Sequence, residues 1–249
     1  MITPRRPHHR RTALALAVLL GVVPVAACGG PDTGTEDASG GRVTASPSMS
    51  EPTATAVATT TPPSPSPTPP RPVTLAFAGD VHFAGRLESG LEDPAQALAS
   101  LEPHLSAADV TVVNLETAIT ERGRPEPKTF HFRAPASALD ALDAAGVDVV
   151  TMANNHGVDY GRQGLEDSLA AKAESPIPVV GIGHDADEAF APAVIDVRGT
   201  RVAVIGATQV PDHTAAAWPA RDGRAGVAVA LDPDRLVAAV KAARKSADV

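Results

Sequence analysis

The chain reads as an α/β protein with a mostly parallel sheet, on three observations. Short apolar runs alternate with helical patterns from residue 73 onward. The runs are continuously apolar rather than alternating, as strands covered on both faces are. Helix signals, an Asp before a Pro or a Gly at the end, separate them. Together these give strand–helix units stacked in layers.

In order, "VTLAFAG" (73–79) reads as a buried strand, and "PAQALASLEPHL" (94–105) as a helix with Asp93 as cap and Pro94 in its first turn. "DVTVVNLE" (109–116) is a second strand. "PASALDALDAAG" (135–146) is a helix stopped by Gly146. "VDVVTMA" (147–153) is a third strand, "GRQGLEDSLAAKAES" (161–175) a helix and "IPVVGIG" (177–183) a fourth strand. The rhythm then changes: residues 191–210 read as two strands around Arg198-Gly199-Thr200, a hairpin. Residues 232–249 read as a capped helix followed by the opening of another strand, "SADV". On that reading the chain is C-terminally short, and an unpaired strand edge or exposed apolar patch is expected.

The N-terminal residues follow other rules. Arg5, Arg6, Arg10 and Arg11 precede an apolar run from Ala13 to Ala27 and then Cys28. A basic segment, an apolar segment and small residues before a cut site describe a secretory signal. The run is shorter than the about 20 residues a free-standing membrane helix needs. "VAAC" resembles a bacterial lipobox, which implies cleavage before Cys28, lipidation of its thiol and anchoring at the outer face of the cell membrane. Cys28 is the only cysteine, so no intramolecular disulfide can form. Residues 28–72 are rich in Pro, Ser and Thr and hold few large apolar side chains, the composition of a spacer. The folded domain is expected over 73–249. It holds 15 basic against 25 acidic side chains. That balance argues against nucleic acid, whose phosphates reward basic patches.

The chemistry gathers at strand ends. The first strand runs into "GDVHFAGR", with Asp80, His82 and Arg86. The second ends in "NLETAIT", with Asn114 and Glu116. The third ends in "NNH", Asn154, Asn155 and His156. In a parallel sheet these ends share one edge, where α/β ligand sites form. Oxygen and imidazole donors without thiolate suit Zn, Mn or Mg. Each piece also has a plainer reading: a strand-end turn for Gly79-Asp80, a loop cap for Asn114, turn chemistry for the Asn pair before Gly157.

The combined string "FAGDVHFAGR … VVNLETAIT … KTFHFRAP … GVDVVTMANNHGVDYGRQGLEDSL" resembles the CapA/PgsA family of poly-γ-glutamate capsule biosynthesis proteins. The resemblance covers residues 73–249. The family is similar to the calcineurin-like metallophosphoesterases, which implies a metallophosphoesterase-like layered sandwich. On that resemblance Asp80 and His82 fill a D-x-H motif, Asn155 and His156 the NH of a GNH motif, and Glu116 with Asn114 stands near the second-strand acid. "NLE" departs from the metallophosphoesterase GDxxD. Asp80, His82 and Asn155 are then implied as ligands of a divalent ion, Glu116 as a bridging or outer carboxylate, and His156 as proton donor or as a hydrogen bonder to the transition state. CapA-type proteins carry a further "HWG-E" motif, which this chain lacks.

In "KTFHFRAP", Phe130 and Phe132 alternate with His131 and Arg133. This spells either a short packing strand or a site that offers Arg133, with Lys128, to an anionic group. Arg86 and His131 have the same claim. His104 reads as structural; His184 and His213 are loop residues with a weaker one. The resemblance implies a role in making, exporting or trimming poly-γ-glutamate or a related anionic polymer. Two alternatives stand beside it: a metallophosphoesterase acting on phosphate esters, and a non-catalytic subunit of a membrane synthase complex.

Overall fold

The computed structural model describes residues 72–249. The signal segment, Cys28 and the spacer lie outside the described residues. In chain order the first elements are β1 (Leu75–Val81), α1 (Pro94–Ala97), α2 (Glu102–Leu105), β2 (Val110–Leu115), the short pair β3 (Ala118–Ile119) and β4 (Arg133–Ala134), and α3 (Ser137–Ala144). After them come β5 (Val149–Thr151), α4 (Gly161–Glu174), β6 (Val179–Val180), β7 (Ile182–Gly183) and α5 (Ala186–Ala189). A hairpin of β8 (Ala193–Val197) and β9 (Thr200–Val204) leads to α6 (His213–Ala217), β10 (Gly226–Val227) and α7 (Asp234–Ala243). No helix among the described residues is long and apolar enough to cross a membrane.

The central sheet has the order β1-β2-β5-β6, and all its pairings are parallel. This is the α/β layering expected of a metallophosphoesterase-like fold. Side chains alternate across the sheet. Val113, Leu115, Val150 and Met152 point to one face and pack with Leu139, Leu142, Leu165 and Leu169 of α3 and α4. Val110, Val112, Val149 and Val180 point to the other, where Val197, Ile195 and Val204 of the hairpin cover them.

Three elements differ from the sequence expectation, each for a local reason. The helix expected over 94–105 is two single turns, because Pro103 cannot donate a main-chain hydrogen bond and opens the second turn instead. The strand expected over 177–183 is broken at Gly181, whose φ is +90°. β6 stays in the parallel sheet, and β7 leaves it to pair antiparallel with β10. Before α1 lies a 3-10 segment, Gly85–Glu92, which no apolar period announces.

Elsewhere local chemistry and structure agree. Gly146 ends α3 at φ +85°, and a Cβ there would stand 2.8 Å from that of Ser106. The β8–β9 hairpin turns on Arg198 and Gly199, both at positive φ, as a two-residue turn of the twist-matching kind requires.

β1 is an edge strand of this sheet among the described residues, and Phe77 is 74% exposed. Phe77 and Leu75 line an apolar groove with Val202, Val204 and Val249. Beside it the main chain of Asp248 and Val249 donates to the Arg201 carbonyl, and Ala203 donates to the Val249 carbonyl.

Asp109 ties the start of β1 to the hairpin turn. It accepts from the Thr74 N–H and hydroxyl, both at 2.8 Å, and from Arg198 at 2.7 Å. The Thr74 N–H, then Arg198 and the Thr74 hydroxyl, hold its carboxyl down at about 2. A carboxyl depressed in the folded state stabilises fully above its unfolded value, near 3.8, and stops doing so as pH falls through the folded value. Urea midpoints measured from pH 4 down to 2 should therefore fall more steeply for the native chain than for Asp109→Asn.

Candidate functional site

The C-terminal ends of β1, β2 and β5 lie along one edge of the sheet, and a bulge decides what β1 presents there. Ala78 pairs with Val113, but Asp80 pairs with Asn114, so Gly79 is an extra residue in β1. Simple alternation would put Asp80 on the face of Ala76 and Ala78. The extra residue turns it onto the face of Asn114, and re-aiming a side chain is what bulges do.

Asn114 is the hub. Its Nδ2 donates to Asp80 Oδ1 at 2.8 Å and to Glu116 Oε2 at 2.6 Å. Its Oδ1 accepts from Asn154 Nδ2 at 2.9 Å. One carboxamide thus holds two carboxylates side by side and fastens them to the end of β5. Burial pushes the Glu116 carboxyl above its ordinary value, and the hydrogen bond and charge of Asp80 push the same way, opposed by His156 and Asn114.

Asn154 makes the turn that delivers His156. Its side chain is buried, donates also to the Leu115 carbonyl and accepts from the His156 N–H at 2.9 Å. This is the local Asx bond that Asn offers a chain leaving a strand. Gly157 lets the turn fold back on β5, since a Cβ there would stand 2.5 Å from the Met152 carbonyl oxygen. His156 is only 7% exposed, and its Nε2 lies 3.9 Å from Glu116 Oε1.

Phe132 stands between the two site histidines. The His82 ring stacks on it at 4.5 Å with planes 5° apart, and the His156 ring meets it at 4.4 Å, tilted by 38°. His82 Nδ1 accepts from the Ala84 N–H, which leaves Nε2 as its available nitrogen. The strand spelled by alternation in "KTFHFRAP" therefore forms only at Arg133–Ala134. Phe130 is 66% exposed instead of sharing a buried face with Phe132.

The structure brings together Asp80, Asn114, Glu116 and His156, with His82 joined to His156 through Phe132. The half-buried Asn155 holds Lys128 and Thr214 through its carbonyl. The other candidates are placed elsewhere. His131 bonds the Glu126 carbonyl through Nε2 at 2.6 Å and meets the edge of Tyr160. Arg133 lies over the Tyr160 ring at 4.9 Å, and Arg86 is exposed on the 3-10 segment. His213 bonds Glu126 Oε2, which also accepts from Trp218 Nε1. His184 bonds Glu188 on the surface, and His104 is exposed on α2.

Lys128 corrects the expectation of a cation offered to substrate. Its Nζ bonds Asp159 Oδ1 at 2.6 Å, and its side chain is 13% exposed. Asp159, fully buried, also accepts from His156 Nδ1 at 2.7 Å and from the Phe132 N–H at 2.6 Å. Sequence reasoning passed over Asp159. The available signal was an acid three residues after His156, in a segment with no apolar period to place it on a surface.

Among the described residues no group of three or more His, Cys, Asp or Glu side chains is arranged to hold a metal. The donor set still suits a hard divalent cation in part. Asp80 and Glu116 are like charges drawn together, which a cation between them would relieve. Asn155 and His82 Nε2 are the further donors near that edge.

The fold and this edge define the class: an α/β domain whose parallel strands deliver carboxylates, amides and an imidazole to one edge of the sheet. The chain belongs to the bacterial capsule synthesis protein PGA_cap family, whose family model matches residues 74–249. It is 35% identical over 162 residues to the probable polyglutamine synthesis accessory protein of Mycobacterium tuberculosis, covering 62% of this chain and 42% of that one. It is 26% identical over 182 residues to the PGA biosynthesis protein CapA of Bacillus subtilis, covering 71% and 47%. It is 27% identical over 148 residues to the capsule biosynthesis protein CapA of Bacillus anthracis, covering 58% and 35%. The matched segment spans less than half the length of each of these relatives.

Proposed function

We propose that the chain takes part in making, exporting or trimming an anionic capsule polymer of the poly-γ-glutamate type, and that its own chemistry there is a metal-assisted hydrolytic step that cuts a bond. The observation that carries this reading is the convergence of Asp80, Glu116 and His156 on one sheet edge in a member of this family. Family membership and the relatives' names support the polymer; the donor set supports the cation.

A manganese, zinc or magnesium ion would be held by Asp80 and Glu116, with His82 and Asn155 as further donors. Bound there, it supplies a water of lowered pKa and a counter-charge for an anionic substrate. The chain's own residues do the rest. Asn114 keeps the two carboxylates in register. His156 directs Nε2 toward the same space; in its doubly protonated form, with the Nδ1 proton held by Asp159, it can give the Nε2 proton to a leaving group. The burial of His156, with Phe132 against its ring, keeps water off the back of the imidazole. Cys28 would tether the domain to the outer face of the membrane, a reading supported by the arginines, apolar run and "VAAC" before it. Membrane synthase subunits are its natural partners there.

The test uses the full chain with added manganese, zinc or magnesium. Bound metal and shortening of poly-γ-glutamate are measured together. Asp80→Ala should lower both. His156→Ala should keep the metal and lose about 100-fold or more in rate, the usual worth of a positioned proton donor. No metal above background, with no effect of either substitution, would sink the reading. Cleavage of model phosphodiesters in place of the polymer would make the protein a phosphoesterase. Metal-independent function with co-purifying synthase subunits would make it a scaffold.

A further inference from the structure

We infer that Asp159 is the positioning residue for His156, and that it fixes the imidazole by its edge and by its face at once. The inference rests on the hydrolytic reading of the same site for its consequence in catalysis, but not for its geometry.

The edge comes first. Asp159 Oδ2 stands 2.7 Å from His156 Nδ1. A bare lone pair on Nδ1 would face a carboxylate oxygen at that distance and be repelled. Nδ1 therefore carries the proton and donates it inward, and Nε2 is the nitrogen turned toward Glu116. Lys128 does not compete for that role. An ammonium has donors only. Its Nζ is engaged with Asp159 Oδ1 and the Asn155 carbonyl and lies 3.5 Å from Nδ1, farther than the carboxylate.

The face follows from the same carboxylate. Asp159 Oδ2 also accepts from the Phe132 N–H at 2.6 Å, and the Phe132 ring lies against the imidazole at 4.4 Å. One oxygen thus holds both the ring nitrogen and the backbone of the residue that walls the ring. The other oxygen is balanced by Lys128. Each part is buried or nearly so, with Asp159 at 0% and His156 at 7% exposure. A carboxylate fully out of water persists where a charge partner and further donors meet it, and here Lys128 and two N–H donors do. The arrangement also reaches His82, whose ring stacks on Phe132 as well. A second ring is thereby aligned by the placement of the first.

The experiment reads the ring directly, without substrate. The full chain is labelled with 15N-histidine, and His156 is assigned by the signal lost in His156→Gln. In the native chain Nδ1 should carry a hydrogen-bonded proton that exchanges slowly with water. In Asp159→Asn that proton should exchange freely, or the proton should divide between the two nitrogens. An unprotonated Nδ1 in the native chain overturns the inference even if Asp159→Asn fails to fold. So does an Asp159→Asn spectrum in which Nδ1 is unchanged. Where the polymer is cleaved, Asp159→Asn should lower kcat about 100-fold and leave KM within about twofold, because a misplaced catalytic group costs the chemical step more than binding. If the ring behaves as expected and no cleavage occurs, the hydrolytic reading fails while the positioning of His156 by Asp159 stands.

Discussion

Asn114→Asp should destabilise the domain at pH 7 by about 3 kcal/mol and recover part of that loss on acidification. The variant puts an oxygen where Nδ2 now donates to Asp80 and Glu116. Two hydrogen bonds to charged acceptors, worth about 1.5–3 kcal/mol each when intact, are replaced by contacts among three carboxylates. Asp80 is exposed, so solvent screens part of the repulsion and the sum stays below the full loss of both bonds. The sign with pH follows from proton binding. Carboxylates crowded together have raised folded-state values, as Glu116 already has, from burial first and from Asp80 second. A raised group binds its proton more readily folded than unfolded, so acidification through its folded value favours the native state of the variant. Asn114→Ala removes the donors without adding charge and should show a smaller loss with little recovery. Urea denaturation of the three chains at pH 7 and pH 5 decides it. Equal losses for Asp and Ala at both values would mean that Asn114 does not hold the carboxylates together.

Gly181→Ala should cost about 3 kcal/mol and disturb the site from behind. Gly181 sits at φ +90°, where a side chain is strained by about 1–2 kcal/mol. Its Cβ would stand 2.4 Å from the Ala153 Cβ and 2.6 Å from the Ala153 nitrogen. A backbone neighbour cannot swing aside as a long side chain can, and overpacking of this kind costs about 1–3 kcal/mol. Ala153 directly precedes Asn154, so any relief comes at the expense of the turn that holds His156. The control is Gly199→Ala in the hairpin turn, where φ is +83° and nothing lies within 4 Å. It carries the strain without the clash and should lose only about 1 kcal/mol. Thermal unfolding separates the two. A Gly181→Ala loss no larger than that at Gly199 would show that Ala153 has room to move.

Much of this architecture was legible from local pattern. Continuous valines marked β2 and β5 as covered on both faces, and both are. Gly146 and the Arg198-Gly199 pair announced a helix stop and a hairpin because positive φ is a local demand. The strand-end clusters were visible as clusters, since a parallel sheet brings such ends to one edge whatever its details. The break at Pro103 is local too, since a proline cannot donate to the turn before it.

What the sequence by itself determined, then, is which segments are strands and helices and which polar side chains stand where strands surface. These depend on periods of two and 3.6 residues and on single-residue backbone preferences, all contained within a short window. The tertiary structure alone decided which of those side chains meet. The bulge at Gly79 turns Asp80 toward Asn114, and alternation within β1 argues for the opposite face. Lys128 is drawn inward by Asp159 from 31 residues away, although the sequence reads it as offered to an anionic group. Phe132 is held between two imidazoles by a backbone bond to that same acid. Such pairings follow from register and long-range contact, for which no short stretch of sequence carries the signal.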